Sequence, residues 1–469
     1  MTSRDRAKRS RSAEVAGFRV ELSRSDSGVE HSRDRLCFGV VTGTRSPVPA
    51  AASAFARRVV QAFACAMLAL LPEHASAVEP ARSAELPSPR FRHDGPEAEA
   101  FGMSEGYPRC AGLEYVQQRR CRVGAFSAFD TLFPARRVPA PTEATPFRRA
   151  STEPVVRYRF AGRERTIDEY LDRRPITGFL IAKGDTILVE RYQYGRTDRE
   201  RMASFSIAKS LVGLLVGIAV EERAIRSIDD VAQAYVPALE GSAYGKTPIR
   251  ALLQMRSGVW FREDYADPTS DIYTLARLTL QHDPGGSLEA VKRFDWRRAP
   301  PGEYFSYSSA DTVVLGLVLA AATGRPVSEY AAEKLWKPLG AEADASWIVD
   351  ATGQEVTYAY FNAVLRDYAR LGRMLADDGW SQGKSVVPTA WLRASRSDPI
   401  DTGSALIRYG YHVWLSPDAT RYLLRGLRGQ TLLADPETKL VLVQTALDSG
   451  DFLELELSEL WAALRAQLR

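Results

Sequence analysis

Four cysteines and five histidines are scattered through 469 residues, which leaves little with which to build a metal site. Beyond residue 77 only Cys110, Cys121, His93, His282 and His412 remain, and none of them stand at metal-ligand spacing. A zinc site and a CxxC redox motif are both excluded, and no metal or cofactor is expected. Long hydrophobic runs are also missing, the apolar stretches being too short or too interrupted for a stable membrane span. Positive charge is scarce where it would count. Residues 1–77 hold 12 Lys+Arg against 7 Asp+Glu, a net of +5, while the whole chain is +4, so residues 78–469 come to −1. A near-neutral body lacks the concentrated positive surface that nucleic-acid binding requires. There is no internal repeat.

What is present is an ordinary globular composition, 45% apolar and 26% charged, with room for two or three domains or one large one. Residues 1–56 are rich in Arg, Ser and Ala with little apolar periodicity, and read as a disordered basic leader. In "RRVVQAFACAMLALLPEHASA", Arg57 and Arg58 precede an apolar run to Leu71 and then Ala75-Ser76-Ala77. This is the three-part layout of an export signal, displaced from the N-terminus, with the mature chain then beginning at Val78. On that reading the protein is periplasmic or secreted; the alternative is a cytoplasmic protein in which residues 59–71 form a helix. Cys110 and Cys121 could close a disulfide in an oxidising compartment or stay as free thiols. Residues 78–154, rich in Pro and Arg, read as an extended arm, and residues 155–469 as the main domain.

Within that domain "TGFLIAKGDTILVERYQYG" (177–195) reads as a hairpin turning at Lys183-Gly184-Asp185. From residue 206 to about 395 the pattern is mostly helical, with Gly324, Gly340 and Gly379 as stops. Strands return as "YGYHVWL" (409–415), "TRYLLRG" (420–426) and "QTLLADPETKLVLVQTAL" (430–447), and residues 452–469 form a closing helix. The expected class is α+β: an antiparallel sheet built from distant parts of the chain, flanked by N- and C-terminal helices, with an inserted, mainly helical subdomain. A cleft is expected at the seam.

Two Ser-x-x-Lys matches occur, Ser206/Lys209 and Ser381/Lys384. The second lies among Asp378, Gly379, Gly383 and Pro388 and reads as a turn. Ser206 opens an apolar helix, so its hydroxyl and the Lys209 amine share one face. A lysine at the edge of a dry core has a lowered pKa and can take a serine proton. The rival reading makes Ser206 an N-cap and lets Lys209 reach water. Tyr307, in "FSYSSADTVVLGLVL", stands at a loop-to-helix junction. Beside an ammonium its phenol pKa is expected to fall, allowing it to relay protons. Gly426 and Gly429, in "LLRGLRGQTLLADP", sit where backbone can approach a ligand, and a backbone N–H there could join that of Ser206 in an oxyanion hole.

In this order and spacing, "SFSIAKSLVGLLVG", "IRALLQMRSGVWFREDYADP", "FSYSSADTVVLGLVL", "YFNAVLRDYARLGRML" and "GLRGQTLLADPETKLVLV" resemble the serine β-lactamase-related hydrolases. That group includes class C β-lactamases, D-stereospecific peptidases, family VIII esterases and 6-aminohexanoate-oligomer hydrolases, the last being most alike. The resemblance implies a β-lactamase/transpeptidase-like fold and hydrolysis of a small amide or ester through an acyl-enzyme on Ser206. Lys209 would then take or tune the serine proton, and Tyr307 would be the partner acid and base. The N–H groups of Ser206 and Leu427 would form the oxyanion hole, and Tyr265, Asn362 and Gly426 would line the substrate cleft. Where β-lactamases carry Lys-Thr-Gly, this chain has Leu424-Arg425-Gly426, and the second motif ends in Ser309 rather than Asn. Both departures weaken an antibiotic-degrading role, although Arg425 or Arg428 could still hold a carboxylate. A β-lactamase or D-amino peptidase, or a penicillin-binding sensor that acylates without turnover, is the alternative, and a homodimer is possible.

Other chemistries fare worse. No GxSxG elbow exists, and only His282 and His412 lie in the domain, so a Ser-His-Asp triad has little to work with. His412 reads as a packing histidine. The carboxylates of "REDYADPTSD" read as a solvated acidic loop.

Overall fold

The structure is a computed structural model that describes residues 89–281, 283–449 and 453–469, together with a short pairing of Glu14–Val15 with Phe18–Arg19. Apart from that pairing, the expected leader (1–56) and export signal (57–77) lie outside the described residues. The chain divides into Met1–Val78 and Glu79–Arg469, and the second unit holds everything below.

The first β-rich run folds as expected, into strands β1 (Ile176–Lys183) and β2 (Thr186–Tyr192) turning at Gly184. Helices α1 (Ile207–Glu221), α2 (Ser309–Thr323) and α3 (Leu365–Ala376) follow, among shorter ones. Strands β3 (Tyr422–Gly426), β4 (Gln430–Ala434) and β5 (Leu440–Ala446) then lead into the closing helix α4 (Leu453–Gln467). Leu442 of β5 lies opposite Ile181 of β1, so the two ends of the domain meet in one sheet of central order β3-β4-β5-β1-β2.

Period-2 alternation explains why both faces of this sheet are covered. Phe179, Ile181, Leu440 and Leu442 face a core shared with Leu453, Leu457, Leu460 and Leu464 of α4. Leu180, Ala182, Val441 and Val443 face the opposite way, into the larger core that holds α1, α2 and α3. Residues 207–219 of α1 are all buried, which fits a helix apolar nearly all round.

The structure corrects the expected architecture in three places. The sheet is antiparallel at its centre, but Arg90–Phe91 and Arg148–Arg149 each add parallel to β2. Segments arriving from far along the chain are free to run parallel, because no tight turn joins them to their partner. "YGYHVWL" is not one strand: Arg408–Tyr409 and Trp414–Leu415 are separate short pairings, broken where His412 adopts φ 58°. Residues 89–154 are less extended than their composition suggests. They contain several short helices, and Phe101, Tyr115, Phe126 and Phe129 are buried in the larger core. Cys110 and Cys121 form a disulfide with Cα atoms 5.6 Å apart, and Arg122 donates to Asp448 (2.8 Å). Among the described residues no single helix is long and apolar enough to cross a membrane.

Candidate active site

Ser206 sits immediately before α1 with φ −66° and ψ −5°, and its side chain makes no capping hydrogen bond. Short-range backbone bonds serve the first turn instead: the N–H of Ile207 reaches Ser204 O, that of Ala208 reaches Phe205 O, and that of Lys209 reaches Ser206 O. The hydroxyl is thereby free of a capping role. Phe205, the residue before it, is held at φ 44°, a left-handed conformation that a bulky side chain adopts only when its surroundings impose it. Its ring is clamped edge-on against Phe126 (4.8 Å) and Phe129 (5.8 Å), both from the segment preceding the main domain.

Lys209 lies one turn into α1 and is 1% exposed, so the reading in which it reaches water is ruled out. Its Nζ donates to Ser206 Oγ (2.9 Å) and to the carbonyl of Tyr358 (2.9 Å). Aromatic faces complete its surroundings, with the Tyr307 ring centroid 5.0 Å and the Tyr358 centroid 5.7 Å from Nζ. Burial lowers the amine pKa to about 8, against a smaller upward pull from the Glu263 carboxylate. A fall from 10.5 to about 8 raises the neutral fraction at pH 7 roughly 300-fold.

Tyr307 arrives from the loop before α2, where Ser308 caps the helix by accepting from the N–H of Asp311 (3.2 Å). Its ring is stacked on Trp414 (5.2 Å). The expectation of a lowered phenol pKa is overturned. Burial and the Glu263 charge push it well above its ordinary value, and the Ser206 hydroxyl offsets only part of this. The phenol is therefore a proton donor at neutral pH, and Lys209 is the more readily deprotonated of the pair.

Glu263 was not singled out in the sequence, where its neighbours suggested a solvated loop. In the structure it accepts from the N–H (2.6 Å) and Oγ (2.9 Å) of Ser309 and from the Tyr265 hydroxyl (2.6 Å). Ser309, at the end of the second motif, thus acts as the anchor for this carboxylate. Nothing in "REDYADPTSD" taken alone distinguishes Glu263 from its exposed neighbours.

Strand β3 ends beside Ser206. A Cβ on Gly426 would meet Ser204 O at 2.4 Å and the Phe205 Cβ at 3.2 Å, so only glycine allows the two backbones to lie this close. Leu427 follows in a tight turn and lines one cavity with Ser206, Tyr265 and Tyr358. Ser206, Lys209, Tyr307, Tyr265, Gly426 and Leu427 are therefore gathered in one place. Asn362 is not on the cleft wall: it is fully buried, donating to Tyr360 O (3.0 Å) and Ser346 Oγ (3.3 Å) in a small sheet with Met202–Ala203. Two polar partners inside that sheet fix its direction away from solvent. Arg425 pairs with Glu454 (2.9 Å) and Arg428 with Asp448 (3.4 Å), so each guanidinium already has a carboxylate. His412 is buried, its Nδ1 2.9 Å from Leu253 O and its Nε2 3.0 Å from Thr312 Oγ1, and desolvation lowers its pKa to about 3. It packs and stays neutral.

A family model described as "Beta-lactamase" matches residues 163–451. The chain belongs to the beta-lactamase family. It is 32% identical over 360 residues to the 6-aminohexanoate-dimer hydrolase of Paenarthrobacter ureafaciens, covering 73% of this chain and 89% of that one. Among solved structures, a Bacillus anthracis protein provisionally named a 6-aminohexanoate-dimer hydrolase superposes with a TM-score of 0.69 at 22% identity, over 76% of this chain and 98% of that one. The penicillin-binding protein of Bacillus halodurans gives 0.51 at 17% identity, over 64% and 98%. These structural likenesses carry the fold, which is the β-lactamase/transpeptidase-like α+β arrangement. The chain is a hydrolase of this family.

Proposed function

We propose that the protein hydrolyses a small amide or ester through an acyl-enzyme on Ser206. The observation that carries this reading is the 2.9 Å contact between a buried, pKa-lowered lysine amine and a serine hydroxyl that caps nothing. As Ser206 Oγ attacks the substrate carbonyl carbon, neutral Lys209 accepts its proton. Negative charge gathers on the carbonyl oxygen and is met by the backbone N–H groups of Ser206 and Leu427. Tyr307, protonated and beside Ser206, passes a proton to the departing amine or alcohol and is recharged from Lys209. Water then repeats the sequence on the acyl-serine, releasing the acid and restoring the hydroxyl. With Arg425 and Arg428 both engaged by carboxylates, and no lysine at the third motif, an ordinary ester or amide fits this cleft better than a β-lactam carboxylate does.

Ser206→Ala should abolish turnover of a p-nitrophenyl ester. A fluorophosphonate should add one equivalent to the wild-type chain and none to the variant, as read by intact mass. Unchanged turnover in the variant would remove Ser206 from the reaction.

A further inference from the structure

The cavity beside Ser206, about 60 Å³, is not built by the hydrolase domain alone. One wall is Leu113, Tyr115 and Val116, which belong to the segment closed by the Cys110–Cys121 disulfide. That wall is fixed from both sides. The Tyr115 hydroxyl is 3.1 Å from that of Tyr360, and its ring meets Phe129 edge-on at 4.9 Å. At the start of the segment, Cys110 and Gly112 both adopt positive φ (55° and 50°), folding it back over the cleft. Opposite stand Ile272 and Ala276, from the helix Asp271–Leu280. Among the described residues the lining carries no charged side chain. Glu263 lies outside it, already taking hydrogen bonds from Tyr265 and Ser309.

Neither Lys209 nor Tyr307 lines this cavity, although Ser206 and Leu427 do. The leaving group must lie toward the proton donor, Tyr307, so the cavity is on the acyl side of the attacked carbonyl. We propose that the disulfide-closed segment is the selectivity wall of the enzyme and that the cavity takes an uncharged, apolar acyl group. The inference rests on the acyl-enzyme reading above. It distinguishes this chain's substrate from an ω-amino acyl group, because an ammonium placed there would lose its water and find no carboxylate among the lining residues, only tyrosine hydroxyls and ring faces. Each methylene added inside the cavity should raise reactivity about fourfold, at about 0.8 kcal/mol per buried CH₂.

The test compares p-nitroanilides of acetic acid, butanoic acid and β-alanine, the last two differing only in a methyl against an ammonium. Butanoyl, with two more methylenes, should exceed acetyl in kcat/KM by about fifteenfold, and should exceed β-alanyl by tenfold or more. Val116→Asp should narrow or invert the butanoyl-to-β-alanyl ratio. Cys110→Ser with Cys121→Ser should lower the butanoyl-to-acetyl ratio as the wall loosens. Equal butanoyl and β-alanyl rates, or a ratio untouched by Val116→Asp, would overturn the selectivity wall. If those rates still vanish in Ser206→Ala, the acyl-enzyme reading survives that failure; turnover that persists without Ser206 would sink both.

Discussion

The chain contains the same four-residue pattern twice, and the two copies behave differently. Ser206 and Lys209 stand at the head of α1, where helical spacing stacks them on one face and the surrounding core removes water from the amine. Ser381 and Lys384 face each other across a two-residue hairpin whose turn residues, Gln382 and Gly383, both have positive φ (52° and 73°). There the lysine is exposed, and the Ser381 hydroxyl, though buried, has no hydrogen-bond partner. Both pairs stand three residues apart, but only the first makes a side-chain hydrogen bond. On the proposed mechanism, only a dry helix start turns one of them into a nucleophile and its base.

The sharpest break in that comparison comes from the lysines. Lys209→Ala should reduce acylation of a p-nitrophenyl ester about 10²-fold or more, the usual scale of general-base catalysis, whereas Lys384→Ala should leave it unchanged. Stopped-flow release of nitrophenolate measures both. A mild effect at Lys209 would make its burial a matter of packing and dissolve the distinction.

A smaller effect concerns pH. On the proposed mechanism neutral Lys209 accepts the serine proton, so kcat/KM should rise with pH and level off above about 8. Glu263 holds that value up through its negative charge. Glu263→Gln removes the charge, so the rising limb should move to lower pH, as read from kcat/KM between pH 5 and 10. A limb that stays in place, or moves up, would show that Glu263 does not act on the amine electrically.

Much of this site was legible in the sequence because its determinants are local. A serine opening an apolar helix, a tyrosine at a helix junction and a glycine at a strand end are each set by neighbours within a turn or two. The central sheet was legible for the same reason, from the β-rich runs that became β1, β4 and β5 and the turn residues beside them. What escaped depends on contacts across the chain. Glu263 looks like any loop carboxylate until Ser309 and Tyr265, brought from elsewhere, bond to it. Asn362 lies in a motif but is turned into a small sheet by its pairing opposite Ala203. The raised Tyr307 pKa reflects burial and the Glu263 charge acting together, offset only in part by the Ser206 hydroxyl, which motif spacing does not encode. Tyr115 sits in a stretch whose composition suggested an arm, and only its contacts with Phe129 and Tyr360 show it to be part of the pocket.

The smallest expected effect is the most discriminating control. Ser381 is 4% exposed and its Oγ is unpartnered, so the folded protein bears a desolvated hydroxyl that earns nothing in return. Ser381→Ala should leave kcat/KM unchanged and raise stability by up to about 1 kcal/mol, since removing an unsatisfied buried polar group relieves part of its desolvation cost. Thermal unfolding and the same ester assay report the two quantities. Lost activity would mean that the hairpin serine takes part in catalysis after all. Lost stability with activity intact would mean that its hydroxyl has a partner, such as an ordered water, whose removal costs more than the desolvation it relieves.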